Sequence, residues 1–203
     1  MALINPKKKE VQVKIVYYGP GRGGKTSNLE YINKKFKKQI KGEMTTVKTY
    51  GDRTLFFDFL PVDIGQIKGY DIKVQFYTVP GQVKYNATRR LVLRGVDGIA
   101  FIADSMALRR KMNLLSLKNL QENLASFNKN IFKIPLVLQY NKRDLEKEGV
   151  SLLPIETMER DMNRQLKVPS FPASAITGEG VAATMKKIIA LTVASLQKKL
   201  EVE

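Results

Sequence analysis

The sequence contains no cysteine, no histidine and no tryptophan. Without cysteine there is no disulfide and no thiol nucleophile; without histidine as well there is no imidazole base and no Cys/His zinc site. Any chemistry must therefore run on other groups. Phosphoryl transfer suits that restriction, because it rests on positioning and charge neutralisation by Lys, Arg, Gln and Mg²⁺. The chain also lacks an apolar run long enough to cross a bilayer, and its opening MALINPKKKE lacks the apolar core of a secretory signal. These absences lead us to expect a cytoplasmic protein.

Negative charge is scarce too. Nineteen Asp and Glu stand against 35 Lys and Arg, a formal net charge of +16. The excess falls in short runs: Lys7 to Lys9, Lys34 with Lys35, Lys37 and Lys38, Arg109 to Lys111, and Lys198 with Lys199. Such runs serve as solvated helix faces or as contacts to an acidic membrane or protein surface. No aromatic residues interleave with them to stack bases, which argues against nucleic acid. A length of 203 residues with 43% hydrophobic composition fits one compact domain over 1–203, with 1–9 expected as a flexible basic leader and 201–203 as a flexible end.

Periodicity orders the elements. Val11 to Tyr18 (VQVKIVYY) is rich in β-branched and aromatic residues and reads as a strand running straight into glycines. From Thr26 the spacing of Leu29, Ile32 and Phe36 predicts a helix, and 37–53 reads as a long loop. Thr54 to Leu60 and Ile72 to Val79 read as an antiparallel pair around turn material at Gly65 and Gly69. Gly98 to Ala103 and Pro135 to Tyr140 suit strands buried on both faces, with a helix carrying Leu114, Leu117, Leu120, Leu124 and Phe127 between them. Pro154 opens a helix running to Leu166. A last helix follows Gly178 and Gly180; its stripe of Met185, Ile188, Ile189, Val193, Leu196 and Leu200 faces either a sheet or a membrane surface. Alternating strands and helices predict an α/β, doubly wound fold with ligands at the strand carboxyl ends.

Gly19-Pro20-Gly21-Arg22-Gly23-Gly24-Lys25-Thr26 satisfies G-x-x-x-x-G-K-[ST] between a predicted strand and a predicted helix. Gly19, Gly21, Gly23 and Gly24 let backbone N–H groups turn inward around a phosphate, Lys25 reaches the β- and γ-phosphates, and Thr26 offers a hydroxyl to Mg²⁺. Ser27 is counted with the nucleotide-binding residues; Arg22 points either to the phosphates or to solvent. Asn141-Lys142-Arg143-Asp144 follows the strand PLVLQY, so it emerges at the same sheet edge. The Asp144 carboxylate can accept from the ring N–H and the exocyclic amine of guanine, which adenine cannot match. The Lys142 stem can cover the base face, and Asn141 can tie this loop to the phosphate loop. Ser174, Ala175 and Ile176 form a third loop whose N–H groups can meet the guanine carbonyl. Together these three loops point to GTP or GDP.

The chain resembles the Ras-like small GTPases, and within them the bacterial MglA-type gliding-motility branch, through KIVYYGPG at 14–21, GKT at 24–26, DRTLFFDFLP at 52–61, YTVPGQ at 77–82, LRGVDG at 93–98 and QYNKRDL at 139–145. The resemblance implies a mixed, mostly parallel six-stranded sheet with one antiparallel strand and helices on both faces. It implies a GTP/GDP switch that hydrolyses GTP slowly without an activating partner, with switch segments at roughly 40–55 and 78–90 that differ between nucleotide states. By resemblance Thr54 meets Mg²⁺ and the γ-phosphate, Arg53 is a built-in arginine finger, Gly81 senses the γ-phosphate and Gln82 orients the attacking water. It further implies a roadblock-type MglB homodimer as activator, effectors of motility or polarity, and recruitment to cell poles or the inner membrane surface through partners. With Met1-Ala2 at its start and Glu201-Val202-Glu203 at its end, the chain is expected to carry no lipidation signal. Thr78 departs from the wider superfamily, whose aspartate at that position supports Mg²⁺; its loss leaves open a nucleotide-binding scaffold with little hydrolysis.

Overall fold

A computed structural model describes residues 3–40, 44–48, 56–82 and 85–200. Val11 to Tyr18 lies inside β2 (Glu10–Tyr18), preceded by β1 (Leu3–Asn5). There follow α1 (Lys25–Lys35), β3 (Thr45–Lys48), β4 (Phe56–Ile67), β5 (Tyr70–Thr78), α2 (Asn86–Leu93), β6 (Gly98–Asp104) and α3 (Arg110–Ala125). The chain continues through β7 (Leu136–Asn141), α4 (Ile155–Met158, widening into a π-helical turn over Glu159–Asn163), β8 (Ser170–Pro172) and α5 (Val181–Leu200).

The sheet order is β3-β4-β5-β2-β6-β7-β8. From β5 to β8 neighbouring strands are parallel, and β4 runs antiparallel to β5. These six strands are the expected mixed sheet; β1 and β3 are short antiparallel additions to β2 and β4. The leader therefore differs from expectation: residues 3–10 turn back as a hairpin, with Leu3 opposite Gln12. Strand pairing also claims 45–48 within the stretch expected as loop, and β4 runs on to Ile67 through an irregularity between Asp63 and Gln66 where Gly65 takes a positive φ of 86°.

Burial explains the patterning. β5 alternates, with Ile72, Val74, Phe76 and Thr78 inward, while every residue of β6 and β7 is buried because helices cover both faces. Ile15, Phe76, Ile102 and Val137 pack with Leu29 and Ile32 of α1 and Met185 and Ile188 of α5. On the other face Val16, Tyr18, Phe101 and Leu138 pack with Val92 and Leu93 of α2, Leu120 and Leu124 of α3, and Met158. Met185, Ile188, Ile189, Val193 and Leu196 of the α5 stripe thus face the sheet.

α5 approaches the sheet closely at Gly98, where an added Cβ would stand 2.1 Å from Thr192 Oγ1. Thr192 is fully buried and its hydroxyl donates to Ile188 O at 2.7 Å, so it has no room to yield. Gly98→Ala is expected to destabilise the fold by about 1–3 kcal/mol through overpacking, read from the midpoint of chemical denaturation. Adding Thr192→Ala should recover most of the loss; no recovery would mean the strain lies elsewhere.

Candidate functional site

At the end of β2 the chain bends beneath β6. Gly19 has φ 149°, and a Cβ there would lie 2.2 Å from Ile102 O, so only glycine passes. Gly24, at φ 92°, leads into α1 and is pressed by Asn141 Nδ2, 2.2 Å from where its Cβ would be. Between them the loop closes with Gly23 N–H donating to Pro20 O at 3.3 Å. Arg22 is exposed at the rim in the left-handed region, at φ 62°.

Lys25 opens α1 with its side chain buried inside this loop, its ammonium donating to Pro20 O at 2.7 Å and Gly19 O at 3.2 Å. Burial pushes its pKa down to about 7; the Arg89 charge presses the same way, and the Asp58 carboxylate opposes both. A phosphate in the loop would restore the charged form, because it supplies the missing counter-charge. A cleft of about 480 Å³ runs past residues 22–27 to Asp58 and residues 78–81.

In that cleft a single carboxylate oxygen gathers two hydroxyls. Thr26 Oγ1 donates to Asp58 Oδ2 at 2.7 Å, and Thr78 Oγ1 donates to the same oxygen at 2.8 Å. The Asp58 N–H in turn donates to Thr78 Oγ1 at 2.8 Å. The negative charge that Thr78 removes from β5 is thus returned from the adjoining β4. Asp58 receives no role from the sequence motifs alone, yet its spacing carries a signal: a carboxylate in phase with Leu60 and Val62, all three buried on one side of β4. The donor set is all oxygen, which suits a hard divalent cation.

Beyond it, the loop after β5 lies against the phosphate loop. A Cβ on Gly81 would stand 2.2 Å from Gly21 Cα, and Gln82 is exposed with its Cγ 3.7 Å from the Cβ position of Gly21. Arg89 on α2 binds the two loops together. Fully buried, it donates from Nε to Pro80 O at 2.8 Å and from Nη2 to Gly81 O at 2.6 Å and Gly19 O at 3.3 Å. Its Nη1 donates to Asn119 Oδ1 at 2.6 Å on α3, and the guanidinium lies 4.9 Å from the centre of the Tyr18 ring. Carbonyls and an amide offset the cost of burying this charge.

The base side is held by Asn141. Its Nδ2 donates to Gly23 O at 2.9 Å, and its Oδ1 accepts from Ala175 N–H at 2.9 Å, so one amide spans all three loops. Lys142, in the left-handed region at φ 72°, donates from Nζ to the fully buried Asp104 at 2.7 Å, which fixes its stem. Arg109, another residue sequence reasoning missed, lies 3.7 Å from the same carboxylate through Nε and donates from Nη2 to Gly21 O at 2.6 Å. Asp144 carries the informative vacancy in bonding: its Oδ1 is buried with no hydrogen-bond partner among the described residues. Such an orphaned acceptor is costly unless a ligand donor meets it. Ser174 is buried with its Oγ accepting from Thr177 N–H at 3.1 Å, Ala175 is buried beside it, and Ile176 is 78% exposed at the rim. Arg53 and Thr54 lie outside the described residues.

Phosphate loop, oxygen-lined corner and orphaned carboxylate on one sheet edge define a nucleotide-binding α/β domain. Residues 14–194 match the Ras family, and the chain belongs to that family of small GTPases. It is 46% identical to the mutual gliding-motility protein MglA of Myxococcus xanthus, over 98% of this chain and 99% of that protein. It is 30% identical to human ADP-ribosylation factor-like protein 4C over 86% of this chain and 83% of that one. Identity to the Ras-related protein Rab-27B of rat is 24%, over 93% and 83%.

Proposed function

We propose that this GTPase is a switch in bacterial polarity and motility, with the residues of the cleft acting as follows. Residues 19–27 hold the phosphates, Lys25 neutralises the β- and γ-phosphates, and Asp144 reads guanine while the Lys142 stem covers its face and Ser174 to Ile176 close over its carbonyl. Thr26, Thr54 and Asp58 would hold Mg²⁺, which when bound would supply charge neutralisation to the phosphates. Gly81 reports the γ-phosphate, Gln82 orients water, and Arg53 spreads charge over the transferring group. The motility role rests on the likeness to the Myxococcus protein across nearly the whole of both chains. A roadblock-type MglB homodimer is the proposed activator, motility or polarity proteins are the effectors, and the protein works in the cytoplasm with recruitment to poles or the inner membrane surface.

The observation that carries this reading is the hydroxyl pair converging on Asp58 Oδ2, because it answers the loss of the usual aspartate that would otherwise favour an inert scaffold. Removing that carboxylate tests it. Asp58→Ala should raise the Mg²⁺ concentration needed to retain GDP by roughly 10–100-fold, the usual range for such supports, and stop single-turnover GTP hydrolysis at ordinary Mg²⁺. Retention that is as Mg²⁺-dependent as in the parent would remove Asp58 from the metal corner. Parent protein that leaves GTP intact with and without a roadblock activator would favour the scaffold.

A further inference from the structure

Strand direction collects lysines at the edge of the sheet opposite the nucleotide cleft. β2 and β5 run parallel with Glu10 beside Asp71, and Asp71 N–H donates to Lys9 O at 2.7 Å. The turn holding Lys7, Lys8 and Lys9 therefore adjoins the β4–β5 turn holding Lys68. α1 starts at the opposite end and runs back along the sheet, bringing Lys34 and Lys35 in its last turn, and Lys37 and Lys38 just after it, toward that edge. Phe36 and Ile40 in the same stretch pack against the core of this face of the sheet, which also holds Val11, Ile67 and Tyr70. All eight lysines are exposed. Carboxylates nearby are fewer: Glu10 is ion-paired with Lys73, and Asp63 and Asp71 lie along the hairpin, with Glu30 a turn further up α1.

We propose that this edge is a docking surface for an anionic phospholipid bilayer, which would hold the domain with its nucleotide cleft turned away from the membrane. Every cation of the cluster is a lysine. Compact charges on flexible stems suit a fluid layer of headgroups, whereas fixed carboxylates or phosphates on a protein partner are read better by the planar fork of arginine. Leu3, 70% exposed, stands beside Lys7 and Lys8 in one shallow depression and offers apolar contact at headgroup depth. The nearby aromatics Phe36 and Tyr70 are turned into the core instead of outward for base stacking. No helix among the described residues is long and apolar enough to cross a membrane, so attachment of this kind is peripheral.

The nine residues of β2 set Lys7 to Lys9 and Lys68 roughly 30 Å from the phosphate loop, and the eleven residues of α1 set Lys34 and Lys35 about 15 Å from it, in both cases beyond the screening length of about 8 Å at physiological salt. Docking is therefore independent of the bound nucleotide, and it does not depend on the switch reading. The test is co-sedimentation of the full chain, loaded with GDP or a slowly hydrolysed GTP analogue, with vesicles of phosphatidylcholine alone or with about 30 mol% phosphatidylserine. Expected are binding to the anionic vesicles only, equal for both nucleotides, and lost as salt rises. A Lys7→Glu, Lys8→Glu, Lys35→Glu, Lys38→Glu variant should lose roughly 100-fold or more in partitioning. A control with the same charge change on other faces (Lys111→Glu, Lys118→Glu, Arg164→Glu, Lys186→Glu) should lose far less. GDP retention measured on both variants establishes that each is folded. Equal losses in the two variants, binding to neutral vesicles, or a preference for duplex DNA or an acidic protein over the anionic vesicles would overturn the proposal.

Discussion

Gln82→Leu and Arg53→Ala are each expected to lower activator-stimulated GTP hydrolysis by about 10³-fold or more, while leaving GTP binding nearly unchanged. Phosphoryl transfer has little covalent chemistry for the protein to perform and rests on water being positioned and charge neutralised by fixed groups. Gln82 follows Gly81, whose backbone lies against Gly21 of the phosphate loop, and this brings its side chain to the rim where a γ-phosphate would end. Arg89, bonded to the carbonyls of Gly19, Pro80 and Gly81, keeps those two loops in one piece. Arg53 lies three residues before β4 begins at Phe56, and a guanidinium delivered to the transferring phosphoryl is worth about 10³–10⁵ in rate. Single-turnover hydrolysis with a saturating roadblock activator measures both. Rates within threefold of the parent in either variant would refute that residue's role, and a parallel loss of GTP affinity would reassign it to binding.

The loops proposed to hold the nucleotide stand out in the sequence because each is a contiguous run with its own chemistry. Gly19 to Thr26 and Asn141 to Asp144 need only a strand before them to be interpretable. What stayed hidden are residues whose meaning depends on pairing across the sheet. Asp58 acquires its place only when β4 is registered against β5, which brings it beside Thr78 and, over the sheet edge, to Thr26. Arg89 cannot be told from its exposed neighbour Arg90 in ATRRLVLRG, because patterning assigns an arginine to the solvent side of a helix; burial separates them. Short strands fail for the same reason. β1 and β3 have three and four residues and exist through the edges they pair with, not through their own composition.

Asp144→Asn is expected to lower GDP affinity on the order of 10³-fold or more and to shift preference to xanthosine diphosphate. Guanine presents two donors on one edge, the ring N–H and the exocyclic amine, and a carboxylate accepts both. Asparagine keeps one acceptor but aims an NH₂ at the guanine amine, so two donors meet and both are left unpaired in a partly closed site, the arrangement that rejects ligands most strongly. Xanthine carries a carbonyl where guanine has its amine, and that acceptor matches the new NH₂. The substitution is nearly isosteric, and Asn141, which ties the three loops through Gly23 and Ala175, is untouched. Filling the site by the matched base is what Asp144 Oδ1, without a hydrogen-bond partner among the described residues, calls for. Displacement of a fluorescent GDP by GDP, ADP and xanthosine diphosphate, run on the parent and the variant, decides the matter. Guanine affinity in Asp144→Asn within threefold of the parent would show that another group reads the base; equal weakening for all three ligands would show that the loop supports the fold and not the reading.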